Sequence, residues 1–380
     1  MADNKNLEDK VASPHETEDP AVSEQSTATA ATTQVTQGTT GMLPAQHWLE
    51  AAEENNEVGN PGDDDADSAV EDTASSTASI SSSIIDYRTI NGRRYHSETS
   101  SNTQYWAAND ERQNESLDII HHLLTLSLGG KLFLAPLDKK TVGRVLDIGT
   151  GTGIWAIDFA DENPQAEVIG TDISPIQPSW VPPNLKFEIE DFTQAWTFPP
   201  KSFDYVHMRY LYGSVPDWHA LFREAYRVCR PGGWVESFEA SPMIYSDDGT
   251  VGDTSALAEW GKFFLEGGKK LGRTFTPLDD DLQEKGMEEA GFVDMQVRKQ
   301  KVPIGGWAAD KKLREIGRFS QLSLDSDLEG YVLYMANLLL GWGRDEVTVY
   351  CAQFRREMRS GNYHPYYNQR VVWARKPDIS

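Results

Sequence analysis

The residues best equipped for chemistry stand in one short run, Val145-Leu146-Asp147-Ile148-Gly149-Thr150-Gly151-Thr152-Gly153. An apolar segment of strand type ends in three alternate glycines, and a helical pattern begins at Ile154. Glycine allows a tight or positive-φ turn and a close approach of backbone to ligand. The first N–H groups of the following helix point toward that ligand. Nineteen residues after Gly153 a second apolar run ends at Asp172, where a carboxylate can accept hydrogen bonds from both ribose hydroxyls of an adenosine. A third run ends at Glu190-Asp191-Phe192. An acid there can accept from an adenine amino group, with Phe192 or Ile173 against the ring. Residue types at this spacing support the binding of an adenosine-containing cofactor.

The loop alone leaves two cofactors open, because Gly151-Thr152-Gly153-Ile154-Trp155-Ala156 also satisfies the G-x-G-x-x-A form of a dinucleotide fingerprint. Three features favour S-adenosylmethionine. Asp147 stands two residues before Gly149, where nicotinamide-binding strands are usually apolar and an acid would hold the loop. Asp191 closes the third strand. Arg230-Pro231-Gly232-Gly233-Trp234 forms a turn before the fifth strand. The Tyr-x-x-x-Lys pair of short-chain dehydrogenases does not occur in the sequence.

A methyl acceptor is expected beyond the carboxyl end of the fourth strand, as ligands sit in open α/β sheets. That end reads His207-Met208-Arg209-Tyr210. His207 falls inside the strand and reads as a core histidine, whereas Arg209 is placed to face the cleft. Arg209 and His96 are the candidate catalytic residues. Tyr95 and His96 are candidates for closing the site over the cofactor. The cofactor-binding set is Asp147, Gly149, Gly151, Gly153, Asp172, Ile173, Asp191, Phe192 and Tyr95. No metal is expected: His121 and His122 share a helix and cannot face one direction, and Cys229 and Cys351 are too far apart for a metal or disulfide pattern and read as buried small residues. His364, Tyr366 and Tyr367 are placed to line a pocket.

These residues need a scaffold, and the pattern around them supplies one. Strands are expected at residues 142–148, 167–172, 185–189, 203–208 and 234–238, with helices at 154–160 and 218–228. Short apolar strands joined by helical crossovers imply a parallel sheet covered on both faces, and right-handed crossovers make it doubly wound. Three- and four-residue steps through Leu117, Ile120, His121, Leu124 and Leu128 predict a preceding helix. Beyond residue 250 helices are expected at 254–271 and 281–290 and strands at 292–299 and 370–374. Between those two strands a largely helical insertion over residues 307–362 would lid the sheet.

Charge is distributed unevenly. The formal net charge of -24 over 380 residues includes 17 acidic residues and only Lys5 and Lys10 within residues 1–85. That segment is rich in Ala, Ser, Thr, Asp and Glu and carries one aromatic residue, Trp48. It reads as a disordered tail whose removal would leave stability and cofactor affinity nearly unchanged, with one short helix expected over 44–52. Residues 86–380 read as one domain: a lid at 87–116, a core at 117–250, and a helical cap with the final strands at 251–380. An acidic surface disfavours nucleic acid, and the longest apolar stretch, 331–342, is too short to span a membrane. No secretory leader is read at residues 1–10. The expected location is cytoplasmic.

A family resemblance rests on a set of segments. Asn91-Gly92-Arg93-Arg94-Tyr95-His96, Asn109-Asp110-Glu111, Leu117-Asp118 with His121-His122, and Leu134-Ala135-Pro136 come first. Residues 149–160, residues 172–178, Asp217-Trp218 and Arg375-Lys376-Pro377 follow. Together residues 87–376 resemble the fungal LaeA-like methyltransferases, and residues 143–240 resemble class I S-adenosylmethionine-dependent methyltransferases generally. Ala107-Ala108 departs from the prolines common in relatives. The resemblance implies a Rossmann-like seven-stranded sheet of order 3-2-1-4-5-7-6 with an antiparallel last strand, and a small-molecule or peptide acceptor. It also implies an alternative role, regulation of secondary-metabolite genes in the nucleus with partner proteins.

Overall fold

The computed structural model describes residues 41–55, 87–96 and 105–378. The chain runs through α1 (Ala45–Asn55), β1 (Arg88–Ile90), β2 (Arg93–Tyr95), α2 (Glu111–Ser127), β3 (Arg144–Ile148), α3 (Ile154–Glu162), β4 (Glu167–Asp172), β5 (Leu185–Ile189) and β6 (Phe203–Arg209). It continues with α4 (Trp218–Val228), β7 (Cys229–Ala240), α5 (Ala256–Leu271), α6 (Leu282–Ala290), β8 (Val293–Pro303), α7 (Lys311–Leu333), α8 (Arg344–Arg359) and β9 (Tyr366–Arg375). A short π-helix, Tyr334–Leu339, extends α7.

Seven strands form one sheet in the order β5-β4-β3-β6-β7-β9-β8, and β1 and β2 form a separate hairpin. Pairing is parallel from β5 through β7, and β9 runs antiparallel to both β7 and β8. In chain order of the large sheet this is 3-2-1-4-5-7-6 with the last strand reversed. β6 is buried at every position but its last, as a central strand covered on both faces must be. All four N–H-capping aspartate and serine side chains that start α2, α4, α5 and α7 accept from the third helical residue, and each removes one orphan donor of its helix.

Two expectations change here. The Arg230-Pro231-Gly232-Gly233 turn lies inside β7: Phe203 pairs with Cys229 but Tyr205 with Trp234, so the segment is a bulge within the strand. Gly232 takes φ +77 there and its N–H donates to the Lys376 carbonyl at 2.9 Å. The second change concerns the segment read as a detachable tail. Residues 41–55 are part of the fold. α1 packs on α8, Trp48 is 2% exposed and meets the Tyr350 ring edge-on at 5.3 Å, and the Leu43 N–H donates to the Glu259 carboxylate at 2.9 Å. Trp48, with Met42, Leu43 and Ala45 packed against the same cluster, is a local apolar set that composition averaged over 85 residues hides. Residues 1–40 and 56–86 lie outside the described residues.

The cap is tied to the N-terminal hairpin by charge. Arg93 donates to Asp110 at 2.7 and 2.8 Å and to Asp327 at 2.8 Å. Asp110 also caps α2, and Asp327 sits at a non-helical break inside α7. Both carboxylates share one guanidinium, so the hairpin, the start of α2 and the middle of α7 are fixed together. Beneath them lies an aromatic-rich core that includes Tyr95, Trp106, Trp260, Phe264 and Tyr350.

Candidate active site

The site grows from the turn after β3. Gly149, Gly151 and Gly153 all have positive φ (+66, +60 and +81), a backbone that side chains resist. Gly149 and Gly151 line a cleft of about 1050 Å³ at the carboxyl ends of β3, β4, β5 and β6, its open mouth included. Gly153 does not line it. Gly153 caps α3, and a side chain on it would run into the Phe187 ring, so its role is to let the helix lie against the sheet.

Asp147 is likewise absent from the cleft lining. It is buried beneath the turn, accepts from Thr150 Oγ1 at 2.6 Å and pairs with His207 Nδ1 at 2.7 Å. Both of its oxygens are engaged in holding the loop. His207 is buried as expected and stacks on Trp155 with ring centroids 3.7 Å apart; burial pushes its pKa down, against the pull of Asp147. Spacing could have suggested this pair, because Asp147 and His207 face each other in the β3–β6 register.

Asp172 and Asp191 do line the cleft, together with Ile173 and Phe192. Asp172 accepts from the Gly151 N–H at 2.9 Å and the Ser174 N–H at 3.0 Å. Burial still raises its pKa to about 6, partly offset by those amides. Asp191 Oδ1 accepts from the Thr193 N–H and hydroxyl at 2.9 and 2.7 Å. Arg209 lines the same cleft and is in no ion pair among the described residues. Burial lowers its pKa, against the fields of Asp147, Tyr210, Asp158 and Asp118.

Tyr95 and His96 stand behind the cleft and do not line it. Tyr95 is buried against Tyr334, ring centroids 5.6 Å apart, because the β2 pleat turns it into the cap core. His96 Nδ1 lies 3.2 Å from Ser174 Oγ, and Ser174 also receives the Asn109 amide at 3.1 Å. The residues that cover the cleft are instead Tyr105, Ala108, Asn109, Asn114 and Leu117, reached from the antiparallel bridge between Tyr95 and Ala108.

A second space of about 600 Å³ shares Ile120 and Tyr210 with the first. Tyr210 follows β6 with φ +52, and a bulky residue in that conformation marks local strain worth a functional reading. Its N–H donates to the Phe238 carbonyl at 2.8 Å. The next two amides, of Leu211 and Tyr212, each donate to Glu239 at 3.1 Å. Glu239 is fully buried, and burial raises its pKa to about 8. On the same strand Glu236 accepts from Leu134 and Ala135 at 2.8 and 2.6 Å, which gives the Leu134-Ala135-Pro136 segment its anchor. Sequence reasoning passed over Glu236 and Glu239; two acids at i and i+3 in an otherwise apolar central strand were the available signal. Of the triplet His364, Tyr366 and Tyr367, Tyr367 lines the second space, while His364 pairs with Asp248.

Comparison with known proteins agrees with this geometry. A methyltransferase-domain family model matches residues 113–294. The chain is 38% identical over 314 residues to the methyltransferase pytC of Aspergillus terreus, covering 82% of this chain and 95% of that protein. It is 33% identical over 293 residues to the secondary metabolism regulator LAE1 of Cochliobolus heterostrophus, covering 76% and 94%. It is 34% identical over 274 residues to the probable methyltransferase tdiE of Emericella nidulans, covering 71% and 84%. With a glycine turn, two strand-end acids and a reversed seventh strand around one cleft, the chain belongs to the fungal LaeA-like family of class I S-adenosylmethionine-dependent methyltransferases.

Proposed function

We propose that the protein methylates a small molecule of fungal secondary metabolism and that the cleft beside Gly149 and Gly151 holds the cofactor. The observation that carries this is the convergence of Asp172, Asp191 and Arg209 on that cleft. Two acceptor groups and one cation match the ribose, the adenine amino group and the methionine carboxylate of S-adenosylmethionine. Asp172 takes the ribose, Asp191 the adenine amino group, and Phe192 and Ile173 flank the ring. Arg209 takes the carboxylate. Gly149 and Gly151 let the backbone approach, and Asp147 holds the turn through Thr150 and His207.

When bound, S-adenosylmethionine supplies a methyl group that an acceptor lone pair takes while the carbon–sulfur pair returns to sulfur. The protein's task is then alignment and exclusion of water, and effective concentration accounts for much of the rate. Tyr210 and the residues of 105–117 do this by walling the cleft. His96 is a positioning residue that acts through Ser174. The tailoring reading draws support from the relatives named as methyltransferases. A second reading, a nuclear regulator acting with partner proteins, draws support from the relatives named as secondary metabolism regulators. The first reading places the protein in the cytoplasm.

The test is calorimetry of S-adenosylmethionine binding to wild type and Asp172→Ala. Loss of a charged acceptor for buried hydroxyls costs about 3 kcal/mol, so affinity should fall by about a hundredfold or more. An unchanged affinity removes the cleft assignment.

A further inference from the structure

The second chamber differs from the cofactor cleft in chemistry. None of the seventeen residues lining it is Asp, Glu, Lys, Arg or His. Seven are aromatic, among them Trp106, Tyr210, Tyr212 and Trp260. Three of the four phenols, those of Tyr210, Tyr331 and Tyr367, are held by the protein. Gln369 Nε2 donates to Tyr210 at 2.7 Å and to Tyr367 at 3.2 Å, and the Tyr331 hydroxyl lies 2.6 Å from Ser116 Oγ. Burial raises the pKa of Tyr210, Tyr212, Tyr331 and Tyr367, so these walls are neutral at pH 7.

Resting on the cofactor assignment of the first cleft, we infer that the second chamber is the acceptor pocket and selects an uncharged, planar aromatic molecule. Three physical arguments support this. A buried ion here would leave water without a counter-charge. A peptide backbone would bring N–H and C=O groups that this lining cannot pair. A cation would also face Arg209 across the Tyr210 wall, together with the positive sulfur of the cofactor. A flat ring instead gains offset or edge contacts with fixed aromatic walls, seven of which line the space. Tyr210 belongs to both spaces, so an acceptor seated against it borders the cofactor. The Leu211 and Tyr212 amides that Glu239 fixes keep this wall in place.

The experiment uses the full chain saturated with S-adenosylhomocysteine and three probes that share one ring system: 2-naphthol, 2-naphthoate and 2-naphthylmethylammonium, at pH 7. Calorimetry should show 2-naphthol binding at least about tenfold tighter than either ion. Leu324→Glu, a half-buried cap position lining the chamber and not the cofactor cleft, should leave S-adenosylhomocysteine affinity unchanged, weaken 2-naphthol and admit the ammonium probe. Normal S-adenosylhomocysteine binding with equal affinity for all three probes, with no probe bound, or with a Leu324→Glu profile like wild type overturns the acceptor assignment. Failure of S-adenosylhomocysteine itself to bind overturns the cofactor assignment, and the acceptor assignment falls with it.

Discussion

Acids of one type serve opposite ends at this site, and environment sorts them. Asp147 is sealed below the turn between Thr150 and His207, whereas Asp172 keeps a face in the cleft and a pKa of about 6. Ribose hydroxyls donate more strongly to the ionised carboxylate, whose two oxygens both accept, so binding favours loss of the proton from Asp172. The affinity for S-adenosylmethionine should therefore fall as pH drops from 7 to 5, by up to about tenfold per unit below 6, and Asp172→Asn should flatten that dependence; calorimetry across the range reads both. Arg209 gives a second residue-level test. If it meets the methionine carboxylate, Arg209→Ala should weaken S-adenosylmethionine by about tenfold or more and leave 5′-methylthioadenosine, which lacks that carboxylate, unaffected. Equal losses for both ligands would reassign Arg209 to the fold.

At the scale of elements, the site depends on parts that carry no chemistry. The hairpin of β1 and β2 positions Tyr95 and His96 behind the cleft, and Arg93 fastens it to α2 and α7 through Asp110 and Asp327. Helix α1 and the residues before it dock through Trp48 with Met42, Leu43 and Ala45 around it. Trp48→Ala should cost about 3 kcal/mol, read as a lower denaturation midpoint, with S-adenosylmethionine affinity little changed, because Trp48 packs on Tyr350 far along the cap from the cofactor cleft. A loss of cofactor affinity equal to that of Asp172→Ala would show that α1 supports the site directly.

For the whole molecule, buried titratable groups set how stability depends on pH. Glu236 and Glu239 have pKa values raised to about 7 and 8, so between pH 4.5 and 8 the folded chain binds more protons at these sites than the unfolded chain does. The stability contributed through them therefore falls as pH rises. His96, His121 and His207 are pushed down by burial and act in the opposite sense, with stability gained as pH rises toward 6.5. Above 6.5 the carboxylates act alone. The melting temperature of the cofactor-free protein should decline from pH 6.5 to 8.5, and Glu239→Gln should shallow that slope; differential scanning calorimetry decides it.

Much of the scaffold was legible from order along the chain. Strand-end acids at Asp172 and Asp191 and the glycine turn at Gly149 and Gly151 are local patterns; crossover handedness gave a doubly wound sheet, and the strand order was what the resemblance implied. Three things were not legible, for one physical reason. Whether Asp147, Gly153, Tyr95 or His96 faces a ligand depends on which side of a wall the side chain falls, and that wall is made by residues distant in sequence, such as His207, Phe187, Tyr334 and Ser174. Whether residues 41–55 belong to the fold depended on a groove at Tyr350 that exists only after α8 has packed. The second chamber is assembled from α2, β7, α5, α7 and β9, so its neutrality could be seen only once these elements had met. The sequence by itself determined a nucleotide-type cleft with its acids and turn, because those groups are set by the ends of adjacent strands. Tertiary structure alone decided what stands opposite that cleft, because an uncharged aromatic chamber is a property of five elements packed together.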